Sequence, residues 1–251
     1  MWYAQDGRLA FGVRQLAAAF NQAGLPVALR IAAVRARAAS KLAEEERQQA
    51  AALQKICPRG ETRMSRVQVK FTDYFAQTIQ RMREDGLLLV STGTDGKANV
   101  MTIGWGTIGC IWSRPVFIVL VRPSRYTYGR LEQVYDFTVN VPPPELAAAV
   151  SHCGSVSGRH HDKFQEAHLT TIPSREVRSP IIKECVVHYE CRTLHRNDLV
   201  PEALAQAVRE EFYSSGDFHR VYFGEIVAAY ADEDAGTRLS APQAGAGKSL
   251  R

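Results

Sequence analysis

At 251 residues, with 45% apolar and 23% charged side chains, the chain has the composition of a globular protein with room for one large domain or two small ones. No apolar run approaches the roughly 18–20 residues of a membrane span, so no membrane partner is expected. The net charge of +5 sits upstream: residues 1–63 hold 10 Lys/Arg against 5 Asp/Glu and the remainder balances at 21 of each, so the body offers no basic face for nucleic acid.

Residues 1–63 have their own texture. Sixteen of the 63 are Ala, arginines are scattered among them, and large apolar residues are sparse. From Leu25 to Ile56 the composition permits a helix with little to bury. The stretch reads as a helical or disordered extension, with Met64 as an alternative natural start. A basic interaction arm is the rival reading. The E-E-E run at Glu44 argues against a mitochondrial transit peptide.

The domain is expected over 64–232. Phe71, Phe75, Ile79 and Met82 recur at helical spacing and predict a helix from Phe71 to Glu84. Gly86 ends it, and Leu87 to Ser91 is a short apolar strand. Thr94 to Lys97, T-D-G-K, is a hairpin turn signal, because Asp-Gly accepts the positive φ that such turns need. Ala98 to Ile103 is the return strand. Ile108–Trp112 and Val116–Val121 follow as strands, with the turn placed at Arg114-Pro115. Tyr126–Val134 predicts a helix, Phe137–Val141 a strand, and Glu145–His152 a short helix. Ser155 to His168 is polar and loop-like, with one helical turn near Asp162–Ala167. Cys185–Leu194 and Val221–Tyr230 are strands, and Pro201 opens a helix to Phe212. From residue 233 to 251 Ala, Gly, Ser and Pro predict a disordered tail. Many short strands with few helices predict a mainly β fold, a barrel or sandwich with peripheral helices.

Three familiar chemistries fit poorly. Gly104-Trp105-Gly106-Thr107-Ile108-Gly109 matches G-x-G-x-x-G, but strand-like sequence follows it where a dinucleotide site needs a helix N-terminus. His152, Cys153, His160 and His161 cluster in sequence, as do Cys185, His188 and Cys191. Strand alternation puts Cys185, Val187, Tyr189 and Cys191 on one face and His188 on the other, so buried cysteines account for the pattern without a metal. The cysteines, at 57, 110, 153, 185 and 191, are odd in number and include no CxxC pair, which fits a reducing, cytoplasmic compartment. No G-x-S-x-G elbow is present.

Two strings carry other chemistry. Asn99 to Gly106, N-V-M-T-I-G-W-G, places the Asn99 amide, Met101 thioether, Thr102 hydroxyl and Trp105 indole on a strand ending in Gly104 and Gly106. Glycines let backbone approach a ligand closely. A flat aromatic ring with polar edges suits this string. Arg122, Ser124, Arg125 and Thr127 offer guanidinium and hydroxyl donors where a strand gives way to a helix. A phosphate suits them, more so if Ser124 caps the helix. Ser157, Gly158, Arg159 and Lys163 form a second polar cluster, suited to closing over a phosphate or a nicotinamide. One molecule that needs both a ring site and a phosphate site is flavin mononucleotide (FMN).

From about Phe71 to Asp232 the chain resembles the flavin reductase-like family, flavoredoxin-type. The blocks run in order: N-V-M-T-I-G-W-G at Asn99, R-P-S-R-Y-T-Y at Arg122, F-T-V-N-V-P at Phe137, C-G-S-V-S-G-R at Cys153, D-K-F at Asp162, S-P-I-I-K-E-C at Ser179 and Y-F-G-E-I-V at Tyr222. The resemblance implies a six-stranded Greek-key split β-barrel, a homodimer, and FMN near the subunit interface. It implies that the Asn99 block lies along the flavin ring and the Arg122 block at the phosphate, with Asn140 and Lys163 as further cofactor contacts. It implies hydride transfer from NADH or NADPH to flavin and onward transfer to a free flavin, ferric chelate, small molecule or redox protein. No catalytic side chain is obligatory, because the flavin supplies the chemistry. Rival readings are a flavin-binding electron carrier or redox sensor without NAD(P)H activity, and a pyridoxamine-phosphate-oxidase-like enzyme.

Overall fold

The computed structural model describes residues 66–240. The N-terminal extension and residues 241–251 lie outside the described residues. Among the described residues ten strands are present: β1 (Arg66–Gln68), β2 (Leu87–Thr92), β3 (Ala98–Ile103), β4 (Gly106–Ile111), β5 (Arg114–Val121), β6 (Asp136–Val141), β7 (Thr171–Ile172), β8 (Ile181–Ile182), β9 (Val187–Asp198) and β10 (Arg220–Asp232). The α-helices are α1 (Phe75–Glu84), α2 (Tyr126–Leu131), α3 (Ala147–Ser155), α4 (Lys163–Glu166), α5 (Gln206–Phe212) and α6 (Ala235–Ser240). Among the described residues no helix is long and apolar enough to cross a membrane.

One antiparallel sheet runs in the order β3-β2-β6-β9-β10-β5-β4, and β1 pairs with β10. Its ends, β3 and β4, are consecutive in the chain and joined only by Gly104 and Trp105. Three Cα steps reach at most about 11 Å. The sheet must therefore curl until its two edges meet at that corner, which makes a barrel split between β3 and β4. The sheet holds eight strands where six were expected. Seven form the main path, and the eighth, β1, is added because the 13-residue β10 pairs with β5 through Arg220–Glu225 and still reaches β1 through Tyr230–Asp232.

The curl encloses a core that includes Leu87, Leu89, Phe117, Val119, Phe137, Val139, Tyr189 and Tyr222. Phe117 and Tyr189 meet edge to face across it, with ring centroids 5.5 Å apart. Strand β2 is buried on both faces. Leu87 and Leu89 point into the barrel, while Leu88 and Val90 join Val100, Val150 and Cys153 in a second cluster under α3. That double burial is why β2 reads as an unbroken apolar run rather than an alternating one.

Several elements differ from the sequence reading. Helix α1 begins at Phe75, not Phe71, and Phe75 is exposed; Thr78, Arg81 and Met82 are buried instead. Arg81 satisfies its buried guanidinium with Glu84, Asp85 and the Pro142 carbonyl. The β4–β5 turn falls at Trp112-Ser113, both at positive φ, and Arg114-Pro115 lies inside β5. Pro201 opens a short 3-10 turn, and α5 starts afresh at Gln206. Cys185 lies outside β9, in the cluster under α3, while Cys191 faces the barrel core, so the two do not share a face. The tail expected from residue 233 begins instead with α6, whose Ala235 and Leu239 are buried in the core.

Candidate functional site

A cleft of ≈ 310 Å³ opens at the split of the barrel. Four segments build it: the end of β3 with the corner after it, the end of β5 with the start of α2, the end of α3 with the loop after it, and the residue before β10. These segments are far apart in sequence, and curling the sheet brings them together.

Most of the expected site residues meet here. Met101, Thr102, Gly104 and Trp105 line one wall. The Thr102 hydroxyl donates to the Val150 carbonyl and fastens that wall to α3. Arg122, Ser124, Arg125 and Thr127 line the opposite wall, and Ser157, Gly158 and Lys163 close one end. Three expected residues are elsewhere. Asn99 is buried just behind the cleft, where its amide donates to Thr127 Oγ1 at 2.8 Å. Its position explains Gly158: a Cβ there would fall 2.0 Å from Asn99 Oδ1. Gly106 has a packing reason, since a Cβ would meet the Ile118 carbonyl of the neighbouring strand at 2.6 Å. Gly104 has no such neighbour nearer than 3.9 Å.

Asn140 is a correction. It lies inside the sheet, away from the cleft, donates to the Leu88 carbonyl and Thr138 Oγ1, and accepts from the Ile182 amide at 3.1 Å. Its Oδ1 also meets His188 Nδ1 at 2.9 Å. All of its polar capacity is spent holding β2, β6, β8 and β9 together, which leaves none for a ligand.

Ser124 is a second correction. Arg125, not Ser124, occupies the N-cap of α2, and no side chain caps that helix. The Ser124 hydroxyl donates to Asp217 Oδ2 at 2.6 Å and its amide to Oδ1 at 3.2 Å. Arg122 is similarly committed. Its guanidinium donates to the Asp217 and Phe212 carbonyls at 3.0 and 2.9 Å and lies 5.1 Å from the Tyr213 ring centroid. Both residues hold the segment before β10 against the end of β5.

The cations left for a ligand are therefore Arg125, Arg159 and Lys163. The Arg125 guanidinium makes no hydrogen bond or ion pair with the described residues, although its backbone bonds to Arg122 and Tyr128. Arg159 donates to the Ser124 carbonyl at 3.0 Å and lies 5.6 Å from the Tyr126 ring centroid. Lys163 is only 5% exposed, with its ammonium against the carbonyls of Cys153 at 2.9 Å and Val156 at 3.2 Å. No carboxylate pairs with it among the described residues. Burial, assisted by the Arg125 charge, lowers its pKa. An anion in the cleft would offset that cost.

Neutral groups complete the site. His219 is nearly buried, bonded through Nδ1 to the Tyr213 hydroxyl at 2.7 Å and 5.0 Å from Trp105 between ring centroids. Burial, with help from Arg122, pulls its pKa down to about 4, so the imidazole is uncharged at neutral pH. Burial pushes the Cys153 thiol up to about 11, which keeps it protonated and a poor nucleophile. Tyr126, Asp217 and His219 were not among the expected cofactor contacts. Arg159 stood inside a polar cluster that the sequence displays. Asp217 carries no local mark, because its partner Ser124 lies 93 residues away; His219 bonds locally to Tyr213 but reaches Trp105 and the cleft only through the fold.

Comparison with known proteins places the chain. A family described as Flavin reductase like domain matches residues 82–242. An uncharacterised protein of Archaeoglobus fulgidus is 35% identical over 106 residues, which cover 42% of this chain and 59% of that protein. The match therefore spans less than two thirds of that relative's length. A split barrel domain from Shewanella frigidimarina superposes with a TM-score of 0.50 at 16% identity, covering 64% of this chain and 75% of that one. A flavoredoxin from Methanosarcina acetivorans is 29% identical with a TM-score of 0.46, covering 59% of this chain and 69% of that one.

Proposed function

The chain belongs to the flavin reductase like domain family, and from that premise we propose that its cleft holds FMN and that the protein is an NAD(P)H-dependent oxidoreductase. The flavin ring would lie along Met101, Thr102 and the Gly104–Trp105 corner. The phosphate would sit among Arg125, Arg159 and Lys163. The observation that carries this reading is the buried Lys163 ammonium, which has only neutral partners among the described residues and closes one end of a cleft also lined by Met101, Ile103 and Trp105.

Bound FMN supplies two-electron exchange between a reduced nicotinamide and a second acceptor. The chain's own residues orient and solvate. Thr127 has its hydroxyl proton free while its oxygen accepts from Asn99. Gly104 and Trp105 are exposed at the corner, and their backbone amides would be donors suited to the polar edge of a ring. Neutral His219 adds a donor or acceptor without adding charge. A homodimer in a reducing, cytoplasmic compartment belongs to the same reading.

The test is the absorption spectrum of the purified protein, with identification of the released cofactor, followed by steady-state oxidation of NADH and NADPH. Flavin bands with FMN released and nicotinamide oxidised support the proposal. Bound FMN with no nicotinamide oxidation until a partner reductase is added would make the protein an electron carrier. Absence of flavin affinity would end the reading.

A further inference from the structure

Tyr126 opens α2 and lines the cleft. Its ring is fixed by Arg130, four residues on in the same helix. That guanidinium donates to the Tyr126 hydroxyl at 2.5 Å and lies 4.7 Å from the ring centroid. Arg130 is itself locked. It is buried, and it donates to Asp95 Oδ1 at 2.9 Å and to the Lys97 carbonyl at 2.7 Å. Asp95 and Lys97 belong to the T-D-G-K turn between β2 and β3. Gly93 leaves room for this arrangement, since a Cβ there would collide with Arg130 Nη1. A chain of contacts therefore runs from the turn through Arg130 to the ring.

The loop after α3 meets the same ring. A Cβ on Gly158 would fall 3.0 Å from Tyr126 Cδ1, so the loop backbone passes close to it. The next residue, Arg159, places its guanidinium 5.6 Å from the ring centroid while donating to the Ser124 carbonyl at 3.0 Å. An aromatic face attracts a guanidinium at such a distance. An exposed arginine loses rotamer freedom when it grips an anion. One already held against a ring and a carbonyl has lost part of that freedom in advance, and binding is favoured accordingly.

We infer that Tyr126 is a positioning residue for the anion end of the cleft: its ring, fixed by Arg130 and the Asp95 turn, holds the Arg159 guanidinium ready for a phosphate. That the phosphate belongs to FMN rests on the flavin reading, whereas the holding of Arg159 rests on the ring.

Calorimetric titration of the full-length protein with FMN, riboflavin and inorganic phosphate tests this. Tyr126→Leu is expected to weaken FMN and inorganic phosphate about two- to ten-fold, the range set by one pre-ordered side chain, and to leave riboflavin unchanged. Tyr126→Phe retains the ring and should keep the wild-type ratio of FMN to riboflavin affinity. In an Arg159→Ala background Tyr126→Leu should cost nothing more, because the ring acts through that guanidinium. Equal losses of FMN and riboflavin, or a full Tyr126→Leu effect in the Arg159→Ala background, overturn the inference. Arg159→Ala alters an exposed side chain and decides the matter even where Tyr126→Leu does not fold: a loss confined to FMN and phosphate supports the inference, and undiminished affinity for both overturns it. Wild-type protein that binds neither flavin, but whose phosphate affinity follows the same pattern, would end the flavin reading and support the role of Tyr126. Binding of none of the three ligands overturns both.

Discussion

Arg122 and Arg125 are three residues apart and chemically identical, yet their surroundings give them different work. Arg122 spends its guanidinium donors on the Phe212 and Asp217 carbonyls, whereas the Arg125 guanidinium has no partner among the described residues. Arg125→Ala is therefore expected to cost little stability and to weaken FMN binding. A charge-assisted hydrogen bond is worth roughly 1.5–3 kcal/mol, about 10- to 100-fold in affinity. Riboflavin, which lacks the phosphate, should bind the variant as it binds wild type; equal losses for the two ligands would remove Arg125 from the phosphate site. His219 gives a pH signature. Its ordinary value of 6.5 falls to about 4 in the fold. Between those values the unfolded chain holds a proton that the folded chain refuses, so stability falls as pH drops through that window and is fully present above it. Fully buried His188 shifts in the same direction. His219→Gln should therefore shrink, not abolish, the loss of urea midpoint between pH 7 and pH 5. An unchanged acid limb would show that His219 is not protected from protonation.

At the scale of elements, the corner between β3 and β4 positions the site. Gly106 begins β4 opposite Val119, and a Cβ there would press on the Ile118 carbonyl at 2.6 Å. Backbone cannot swing aside as a side chain can. Gly106→Ala should cost about 1–3 kcal/mol, as overpacking commonly does, read as a lowered urea midpoint. Unchanged stability would mean that the two strands can separate at that edge without penalty. The loop after α3 is tied on its outer side as well, since Glu166 accepts from His152 and meets His161, while the Asp162 side chain caps α4. These ties hold Ser157, Gly158 and Arg159 against α2. The His160-His161 pair, bulky for such a loop, is accommodated because His161 turns outward to Glu166.

At the scale of the whole molecule, the barrel core, the cluster under α3 and the cleft are all assembled from residues within 66–240. The family match, residues 82–242, falls almost wholly inside the same span. Protein started at Met64 is expected to fold and to bind FMN as the full chain does. Circular dichroism and flavin titration of the two forms check this. Loss of soluble, flavin-loaded protein on truncation would show that the upstream residues are part of the structure.

Local order in the chain determined much of this. The T-D-G-K turn and the runs on either side set β2 and β3, because a hairpin needs only adjacent residues. The strings at Asn99 and Arg122 marked two walls of the cleft, because each wall is one continuous stretch at a strand end. Tertiary structure decided what those side chains touch. Ser124 looked like a helix cap until Asp217 arrived from 93 residues away to take its hydroxyl. Asn140 looked like a cofactor contact until β6 was placed in mid-sheet, where His188 and the Ile182 amide use its oxygen. Spacing in sequence encodes which face a residue shares and where the chain turns. It does not encode the partner across a strand or a cleft, because that depends on how distant segments dock, and docking here follows from a sheet that had to curl until β3 met β4.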